Sequence, residues 1–570
     1  MLLRCALFQS AFAECGVYLA QSTIAGAGLG TYAGKFYDVG SSVGQPSIVI
    51  PINDMHKHQP DSLKKETFFD SYTWGLDAFN HMADEGKGSG GFIPGAGTAM
   101  NYMLPLVNVV GMNSLIEMSS GNLHRSKDPG VGAFTPFYNR QMIAEETIDP
   151  GSELFDSYGE GYFIEREAIF GKIPLEADYI NADLYLERLV GARNELCLRH
   201  KVCENGTNEI YKELYRDWIG LHTEKLSLVW PSRVWNALPS DPAQLDNVLQ
   251  LGTRMKDYNN SMRSLAWLEQ HGDCADNLIV GPSTIDSQAG RGAFAKRPIP
   301  NGRLIGPAPV LHVKKSLLEM HPIVMDVHGA HHINTSSASN HYQLLLNYCF
   351  GHPQSSILLC PYGFDTSLIN HSKSKPNAKL VWNRKLTQHP EWLEQPLEQW
   401  VDEFTSGLVI DFIAIRDIQP GEEILIDYGD EWEMAWKRHV STWQPPVGAE
   451  DYIMAAELNE REVIPTVHEQ SHHRNEEYVH LYCRDIYRRW SGLRTADKKD
   501  KSTVANANSY SSFVSCRAVN RFIFHGETMY TAELFTRATE NGKTEDRVTG
   551  VLFMMPRDAF FFQDKPYSRE

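Results

Sequence analysis

The sequence lacks the long apolar runs and paired cysteines that mark membrane-spanning and zinc-binding proteins. No stretch approaches the roughly 18 to 20 apolar residues that cross a bilayer, so we expect no transmembrane segment. The nine cysteines form no Cys-x-x-Cys pair and no other zinc-ligand spacing, so we predict no structural metal. Their odd number favours mostly free thiols, although export of the chain would permit a few disulfides.

Basic charge and phosphate-binding loops are also scarce. The chain has 53 basic against 71 acidic side chains, a net charge of -18, which argues against direct nucleic-acid binding and suits basic peptide partners. The glycine-rich stretch at 86–91 has no Gly-Lys-Ser/Thr run, and the one at 26–30 has only part of a dinucleotide fingerprint. We therefore expect neither stretch to bind a nucleotide.

What the chain does have is the size and composition of a folded, soluble, multidomain protein. Its 570 residues exceed the usual length of one domain several-fold, and its apolar fraction of 42% is ordinary for globular proteins. Residues 1–20 combine one basic residue, a short apolar run and a small-residue site after Phe12, as in a signal or transit peptide. A cleaved signal or transit peptide and an uncleaved N-terminal segment explain these features equally well, and the compartment depends on which of the two holds.

Two segments of the chain share landmarks in the same order. A glycine-rich motif at 26–33 matches one at 289–295, and each follows a Ser-Thr-Ile. The segment 148–159 matches 418–429, with Pro-Gly near its start and Tyr-Gly at its end. The offset is 262 residues at the first landmark and 270 at the last, so it stays nearly constant. We interpret this collinearity as an internal duplication.

The rest of the chain divides by composition and periodicity. Leucines spaced along one face predict a helical region at 165–280, and similar patterns continue through 437–494. A polar stretch without periodicity predicts a linker at 495–512. Residues 513–570 are rich in valine, phenylalanine and tyrosine, which predicts a small β-rich module. The two repeated units then occupy residues 21–164 and 281–436.

The second unit contains three short motifs: Gly290-Arg291-Gly292, then Asn370-His371-Ser372 with Pro376-Asn377 after it, and finally the segment from Gly421-Glu422-Glu423 to Tyr428. Together they resemble the motifs of the SET-domain protein lysine methyltransferases. Each is weak alone, since Gly-x-Gly usually marks a turn and Asn-His favours loops. They occur in the family's order within about 140 residues, which makes the combination specific.

The resemblance implies a fold, a cofactor and roles for six residues. The expected fold class is α+β: tandem SET-like folds of short curved β-sheets, a helical insert and a small β-rich C-terminal module. In the family the first two motifs hold S-adenosylmethionine, which assigns Gly290, Arg291, Gly292, Asn370 and His371 to cofactor binding. Tyr428 is the expected catalytic residue, because methyl transfer to a lysine amine requires alignment more than a strong base. The expected partner is a protein or peptide that presents a lysine.

The first unit departs from this pattern. It keeps Gly28-Leu29-Gly30 and Tyr158, but Asn101-Tyr102 stands where the second unit has Asn-His. We therefore expect a degenerate first copy, with a structural or substrate-binding role. This degeneracy also supports an alternative hypothesis, in which both SET-like units form a non-catalytic interaction or scaffold protein.

Overall fold

A computed structural model describes most of the chain between residues 15 and 564. The described residues are 15–52, 71–75, 90–114, 124, 126–130, 139–200, 215, 232–241, 244–285, 289–321, 323–325, 331–333, 341–352, 354–403, 405–445, 448–470, 479–484, 513–540 and 543–564. None of the helices in these ranges has the length and apolar character needed to cross a bilayer. Residues 1–14, which include most of the predicted signal or transit segment, and the linker at 495–512 lie outside the described ranges.

The N-terminal part consists of short strands in three small sheets. In chain order they are β1 Val17–Gln21, β2 Leu29–Ala33, β3 Ser47–Ile48, β4 Ile50–Ile52, β5 Trp74–Gly75, β6 Gly90–Phe92, β7 Val109–Ser114 and β8 Asn139–Ala144. The sheet orders are β3-β8-β7 and β4-β6-β5, and β1 pairs with β2 as an antiparallel hairpin. The third neighbour of this hairpin is β9, Asp273–Cys274, which comes after the helical region.

Helices fill most of the described residues between 160 and 271, and the end of the segment predicted as helical, 165–280, contains strand residues at 273–274 and from 278. The helices are α1 Glu160–Glu165, α2 Glu167–Phe170, α3 Glu176–His200, α4 Ser232–Ala237, α5 Leu245–Leu251 and α6 Leu265–His271. Their buried face forms a separate apolar cluster around Tyr179, Leu186 and Trp235, which also takes in Tyr102 from the N-terminal part.

The second unit is built around a five-stranded antiparallel sheet. Its strands are β10 Leu278–Pro282, β11 Arg291–Ala295, β12 Leu304–Lys314, β13 Glu319–Met320, β14 Ile323–Met325, β15 His331–Ile333, β16 His341–Tyr342, β17 Phe350–Gly351, β18 Ile357–Pro361, β19 Asn370–His371, β20 Ala378–Trp382, β21 Leu408–Ala414 and β22 Leu425–Ile426. The main sheet has the order β17-β18-β12-β21-β20. The β10–β11 hairpin and the parallel pair of β19 with β22 stand beside it, and helix α7, Asp430–Thr442, follows.

The two units share one continuous apolar core. The cluster includes Leu19, Ile50 and Phe92 from the first unit, and Val310 and Phe412 from the second, all at most 1% exposed. Burying aliphatic and aromatic side chains from both units in one core stabilises them together. The observed mixture of helices and short, curled sheets is the predicted α+β class.

The C-terminal module is a five-stranded antiparallel sheet with short helices. Its elements are α8 Ala455–Glu460, α9 Val467–Gln470, β23 Val479–Arg484, β24 Phe513–Phe524, β25 Glu527–Glu540, β26 Lys543–Pro556 and β27 Phe560–Asp564, in the sheet order β26-β25-β24-β23-β27. The β-rich character predicted for 513–570 agrees with these strands. The helical pattern predicted through 437–494 does not hold at Val479–Arg484, where β23 is the strand between β24 and β27.

The expectation of mostly free thiols is wrong for six of the nine cysteines. Disulfides join Cys15 to Cys274, Cys349 to Cys360 and Cys483 to Cys516 in the described part of the chain. The Cα atoms of the first and third pairs lie 5.9 and 5.8 Å apart, near the commonest separation for a disulfide, and those of Cys349 and Cys360 lie 4.2 Å apart. The first bond connects the start of the N-terminal unit to β9, immediately before the second unit.

Candidate functional site

The six predicted site residues lie on three neighbouring segments. Asn370 and His371 form β19, which runs parallel to β22 with Asn370 opposite Leu425. Tyr428 follows β22 by two residues, and Gly290 to Gly292 open β11. Because a parallel pairing brings two distant segments side by side in the same direction, the Asn-His and tyrosine motifs meet at one end of the pair.

Glu423 is the centre of the polar network that joins these segments. The Asn370 side-chain nitrogen donates to the Arg291 carbonyl at 2.9 Å and to Glu423 Oε1 at 3.0 Å. Glu423 also accepts from the Ser283 hydroxyl at 2.8 Å, from the Thr284 backbone N–H at 2.7 Å and from the Thr284 hydroxyl at 2.5 Å. Only 5% of Glu423 is exposed, so this set of donors replaces the water that a buried carboxylate requires.

The close approach of Glu423 explains the second glycine of the Gly-x-Gly motif. A Cβ added to Gly292 would lie 2.2 Å from Glu423 Oε1 and 3.2 Å from the Asn370 side-chain nitrogen. Any larger residue would therefore push the carboxylate away from Asn370. Gly290 is required for a different reason, because its φ of +64° lies in the left-handed region that other residues avoid.

His371 is bound through its ring to the backbone of Tyr428. The Tyr428 N–H donates to His371 Nδ1 at 3.0 Å, which assigns the proton of the neutral ring to Nε2. Burial lowers the pKa of His371, with the nearby Asp427 carboxylate opposing that shift. The imidazole is therefore neutral at pH 7 and presents an N–H donor at Nε2.

Tyr428 is held by its hydroxyl and by three ring contacts. The hydroxyl donates to the Ile369 carbonyl at 2.5 Å. Phe350 and Trp432 contact the ring nearly at right angles, with centroid distances of 6.4 and 4.9 Å, and His371 lies at 5.3 Å. Burial raises the pKa of Tyr428 well above its usual value, so the phenol keeps its proton at physiological pH.

The first unit contains a network with the same connections. Glu153, which is fully buried, accepts from the Ser22 hydroxyl at 2.6 Å, the Thr23 N–H at 2.8 Å and the Asn101 side chain at 3.2 Å. Glu423 is surrounded by the same three residue types, a serine, a threonine and an asparagine, in the same sequence order. A Cβ added to the first unit's glycine, Gly30, would also lie 2.2 Å from the carboxylate.

The two units differ around the tyrosine. The Tyr158 hydroxyl donates to the Met100 carbonyl at 2.5 Å, as Tyr428 does to its own partner. The Tyr158 ring, however, is surrounded by other aromatic rings of the chain: Trp74, Tyr102 and Tyr162 lie at centroid distances of 5.3, 5.3 and 5.1 Å. Tyr102 stands where the second unit has its histidine, and its ring stacks in the helical cluster at 4.9 Å from Phe163.

Several site residues were not assigned from the sequence. Glu423 belongs to a Gly-Glu-Glu turn that carries no signal of its own, although the Ser-Thr-Ile before each glycine motif is a repeated signal for the residues that donate to it. Trp432 follows Tyr428 by four residues, is 39% exposed, and its ring lies 4.8 Å from that of His371. Phe350 had no local pattern that distinguished it from a packing residue.

Comparison with known proteins identifies the second unit. Residues 290–429 match the family model of the SET domain, so the chain contains a SET domain in this segment. The matched range begins at Gly290 and ends at Gly429, the residue after Tyr428, so it includes all six predicted site residues. No curated protein matches the chain.

Several solved structures have local similarity to the chain. One is a Plasmodium falciparum protein that carries the name of a histone methyltransferase, with 20% identity over 28% of this chain and 96% of its own, at a TM-score of 0.17. Two are Chaetomium thermophilum polycomb repressive complex 2 structures. The first has 21% identity over 27% of this chain at a TM-score of 0.17, and the second, bound to S-adenosylmethionine, has 20% over 29% at 0.17. The match spans only 15% and 17% of those two polycomb chains.

Proposed function

We propose that the chain is an S-adenosylmethionine-dependent protein-lysine N-methyltransferase that acts through the SET domain at residues 281–436. The observation that carries the proposal is the Glu423 network, which joins the Gly-Arg-Gly hairpin to the Asn-His strand within hydrogen-bond distance. A neutral tyrosine lies next to that network. The arrangement suits methyl transfer, which requires that the methyl donor and the lysine nitrogen are held in line with each other.

The residues present fit the cofactor. Gly292 leaves the hairpin without a side chain beside Asn370, and within the described residues no donor bonds the Asn370 side-chain oxygen. Gly290, Arg291, Gly292, Asn370 and His371 would hold the cofactor through backbone groups, an amide oxygen and an imidazole N–H. S-adenosylmethionine, when bound, supplies a methyl group on a positively charged sulfur.

Tyr428 is the residue assigned to alignment of the lysine. Its hydroxyl proton is committed to the Ile369 carbonyl, so the oxygen's lone pairs can accept an N–H from a neutral amine. Because its pKa is raised, Tyr428 does not act as the base, and the lysine loses its proton to solvent before transfer. The proposed role is therefore orientation of the nitrogen lone pair.

We infer further that residues 21–164 form a second SET-like fold without catalytic activity. The matching set of bonds around Glu153 supports common descent of the two units. Tyr102 stands where the SET domain has its candidate cofactor histidine, and its ring packs against Phe163 in the helical cluster, which supports a non-catalytic role. The helical region at 165–280, the segment 437–494, the linker at 495–512 and the module at 513–570 complete the proposed organisation.

The proposed substrate is a lysine in a protein or peptide. The net charge of -18 favours a basic segment, since opposite charge steers association. The scaffold alternative predicts binding of a protein without methyl transfer, so an assay that detects both events separates the two hypotheses.

The direct test is calorimetry with S-adenosylmethionine, followed by transfer of its labelled methyl group to proteins of a lysate. We expect wild-type protein to bind the cofactor, His371→Ala to bind it more weakly, and Tyr428→Phe to bind it while transfer falls by about 10²- to 10³-fold, the size of effect known for loss of one preorganised hydrogen-bonding group such as an oxyanion-hole donor. Tyr158→Phe is the matched control, because it removes an equivalent hydroxyl bond in the first unit, and it should keep full transfer. Wild-type protein that binds no cofactor would overturn the proposal.

A further inference from the structure

The two units meet at a buried carboxylate that lies close to the candidate cofactor site. Asp365, in the SET domain, is 2% exposed and precedes the short 3-10 helix Thr366–Leu368. Its φ of 57° is unusual for a residue other than glycine, so the local structure must hold it in place. The helix leads through Ile369 directly into Asn370, so a shift of Asp365 moves the start of the Asn-His strand.

The groups that hold Asp365 come from the N-terminal unit. The Ser47 hydroxyl donates to Asp365 Oδ1 at 2.5 Å and the Gln45 side-chain nitrogen donates to Oδ2 at 3.1 Å. The Asp365 backbone N–H donates to the Pro94 carbonyl at 2.8 Å. These three groups lie about 270 to 320 residues before Asp365 in the sequence, and all three bind this one residue.

Gln45 also binds the strand next to the Gly-Arg-Gly motif. Its side-chain oxygen accepts from the Val280 backbone N–H at 2.8 Å. Val280 lies in β10 and pairs with Ala293 of β11, immediately after Gly292. One amide side chain thus bridges the two segments that carry the candidate cofactor residues, with its nitrogen on the Asn-His side and its oxygen on the hairpin side.

We propose that Gln45 and Ser47 are positioning residues of the SET domain's cofactor site, which set the spacing between the Gly-Arg-Gly hairpin and the Asn-His strand. The N-terminal unit is then a built-in part of that site. The assignment rests on the proposed function, and it adds residues from outside the segment that matches the SET family.

The amide of Gln45 and the carboxylate of Asp365 can be swapped between the two positions by mutation, which makes the proposal testable. Asp365→Asn replaces one of the two accepting oxygens with an N–H₂ group. If that group faces Gln45, two donors oppose each other or Gln45 flips and leaves the Val280 N–H without an acceptor; if it faces Ser47, the serine hydroxyl loses its acceptor and must accept instead. Gln45→Glu places two carboxyl groups 3.1 Å apart in a buried location, where like charges repel strongly unless the pair binds a proton, so the effect of this variant should grow as the pH rises above 7. The double variant Gln45→Glu/Asp365→Asn satisfies every group again, because the new carboxylate accepts from both the Asn side chain and Val280.

The experiment measures cofactor affinity by calorimetry and steady-state kinetics in the full-length chain. We expect each single variant, and Ser47→Ala, to weaken S-adenosylmethionine binding by at least tenfold while kcat at saturating cofactor changes less. The double variant should recover to within a few-fold of wild type. Gln141→Ala, which removes an exposed side-chain bond in the same unit, is the control and should bind as wild type does.

Two outcomes overturn the proposal: single variants that bind the cofactor as well as wild type, or a double variant no better than the singles. If wild-type protein binds no cofactor, the proposed function is wrong. Backbone hydrogen exchange then tests separately whether Gln45 holds the two segments together. Backbone amides of 280–285, 289–292 and 366–371 should exchange faster in the single variants than in the double variant. Equal exchange in all three would also overturn it.

Discussion

At the scale of single residues, the glycine of the hairpin is the most restrictive position in the site. Gly292→Ala places a methyl group 2.2 Å from Glu423 Oε1, so the carboxylate must move and lose its bond to Asn370. We expect the variant to lose about 1–3 kcal/mol of stability, as for other overpacked buried positions. We also expect weaker cofactor binding, measured by calorimetry beside the thermal unfolding midpoint.

Two other glycines provide matched controls for that prediction. Gly30→Ala creates the same crowding against Glu153 in the first unit, so it should lower stability and leave cofactor affinity nearly unchanged. Gly191→Ala lies in α3 with nothing near the added methyl, and should raise stability by about 0.5–1 kcal/mol. An equal loss of affinity in Gly30→Ala would show that crowding acts through the whole fold, contrary to the prediction.

Motif resemblance predicted which residues meet in the site, but the network around Glu423 was not predicted. Asn370, His371 and Tyr428 could be named from the sequence because their types and order match a family. Glu423 could not, since a glutamate after glycine is ordinary in an exposed turn. Only the fold, which brings Ser283 and Thr284 to its oxygens, shows that this carboxylate is buried and bonded.

At the scale of elements, α7 forms one side of the tyrosine's surroundings. The helix begins after Gly429, and its first turn carries Asp430, Glu431 and Glu433, which suits the positive end of the helix dipole. Lys373, two residues beyond the Asn-His strand, pairs with Asp430 and Glu433 and connects the helix to that strand. Trp432 projects from this helix against Tyr428 and His371.

We expect Trp432→Ala to lower methyl transfer more than cofactor affinity. An aromatic contact of this kind is worth about 0.5–1.5 kcal/mol beyond buried area, which corresponds to roughly a 2- to 10-fold effect on the alignment of Tyr428. Met434→Ala, on the same helix and 62% exposed, is the control. The measurement compares kcat and KM for both substrates, and equal turnover in the two variants would contradict the prediction.

Strand β23 shows why some elements could not be predicted from local patterns. Its sequence, Val479–Arg484, is short, and its pairing partners β24 and β27 lie about 30 to 80 residues further along the chain. Strand preference depends on such neighbours more than on the segment itself. The β10–β11 hairpin was predicted only in part: the Gly-x-Gly motif indicated a turn at Gly290, whose φ is positive, but the first residues of β10 fall in the region predicted as helical, 165–280.

At the scale of the whole molecule, the two units are connected by more than the polypeptide. The disulfide between Cys15 and Cys274 joins residues 259 positions apart, and β9 extends the first unit's hairpin just before the second unit begins. No sequence spacing identifies such a partner, because the pairing depends on the shared core. Disulfides persist in oxidising compartments, which makes a non-nuclear substrate worth testing first.

The buried carboxylate between the units should give the protein a distinctive response to pH. Burial raises the pKa of Asp365 to about 7, against about 3.9 for an unfolded aspartate. Between these values the folded chain binds a proton that the unfolded chain does not. The contribution of Asp365 to stability therefore rises as pH falls from 7 towards 4, by at most about 1.4 kcal/mol per pH unit.

Asp365→Asn removes this titration, so the comparison with wild type isolates it from all other groups. We expect the stability of wild type relative to the variant to increase between pH 7 and pH 5 and to be nearly constant above pH 8. Unfolding midpoints of both proteins across that range give the measurement, with Asp402→Asn as an exposed control for the loss of one carboxylate. A difference that does not vary with pH would mean that Asp365 keeps its charge when the two units pack together, and the contact between them would then have to compensate a buried anion at every pH.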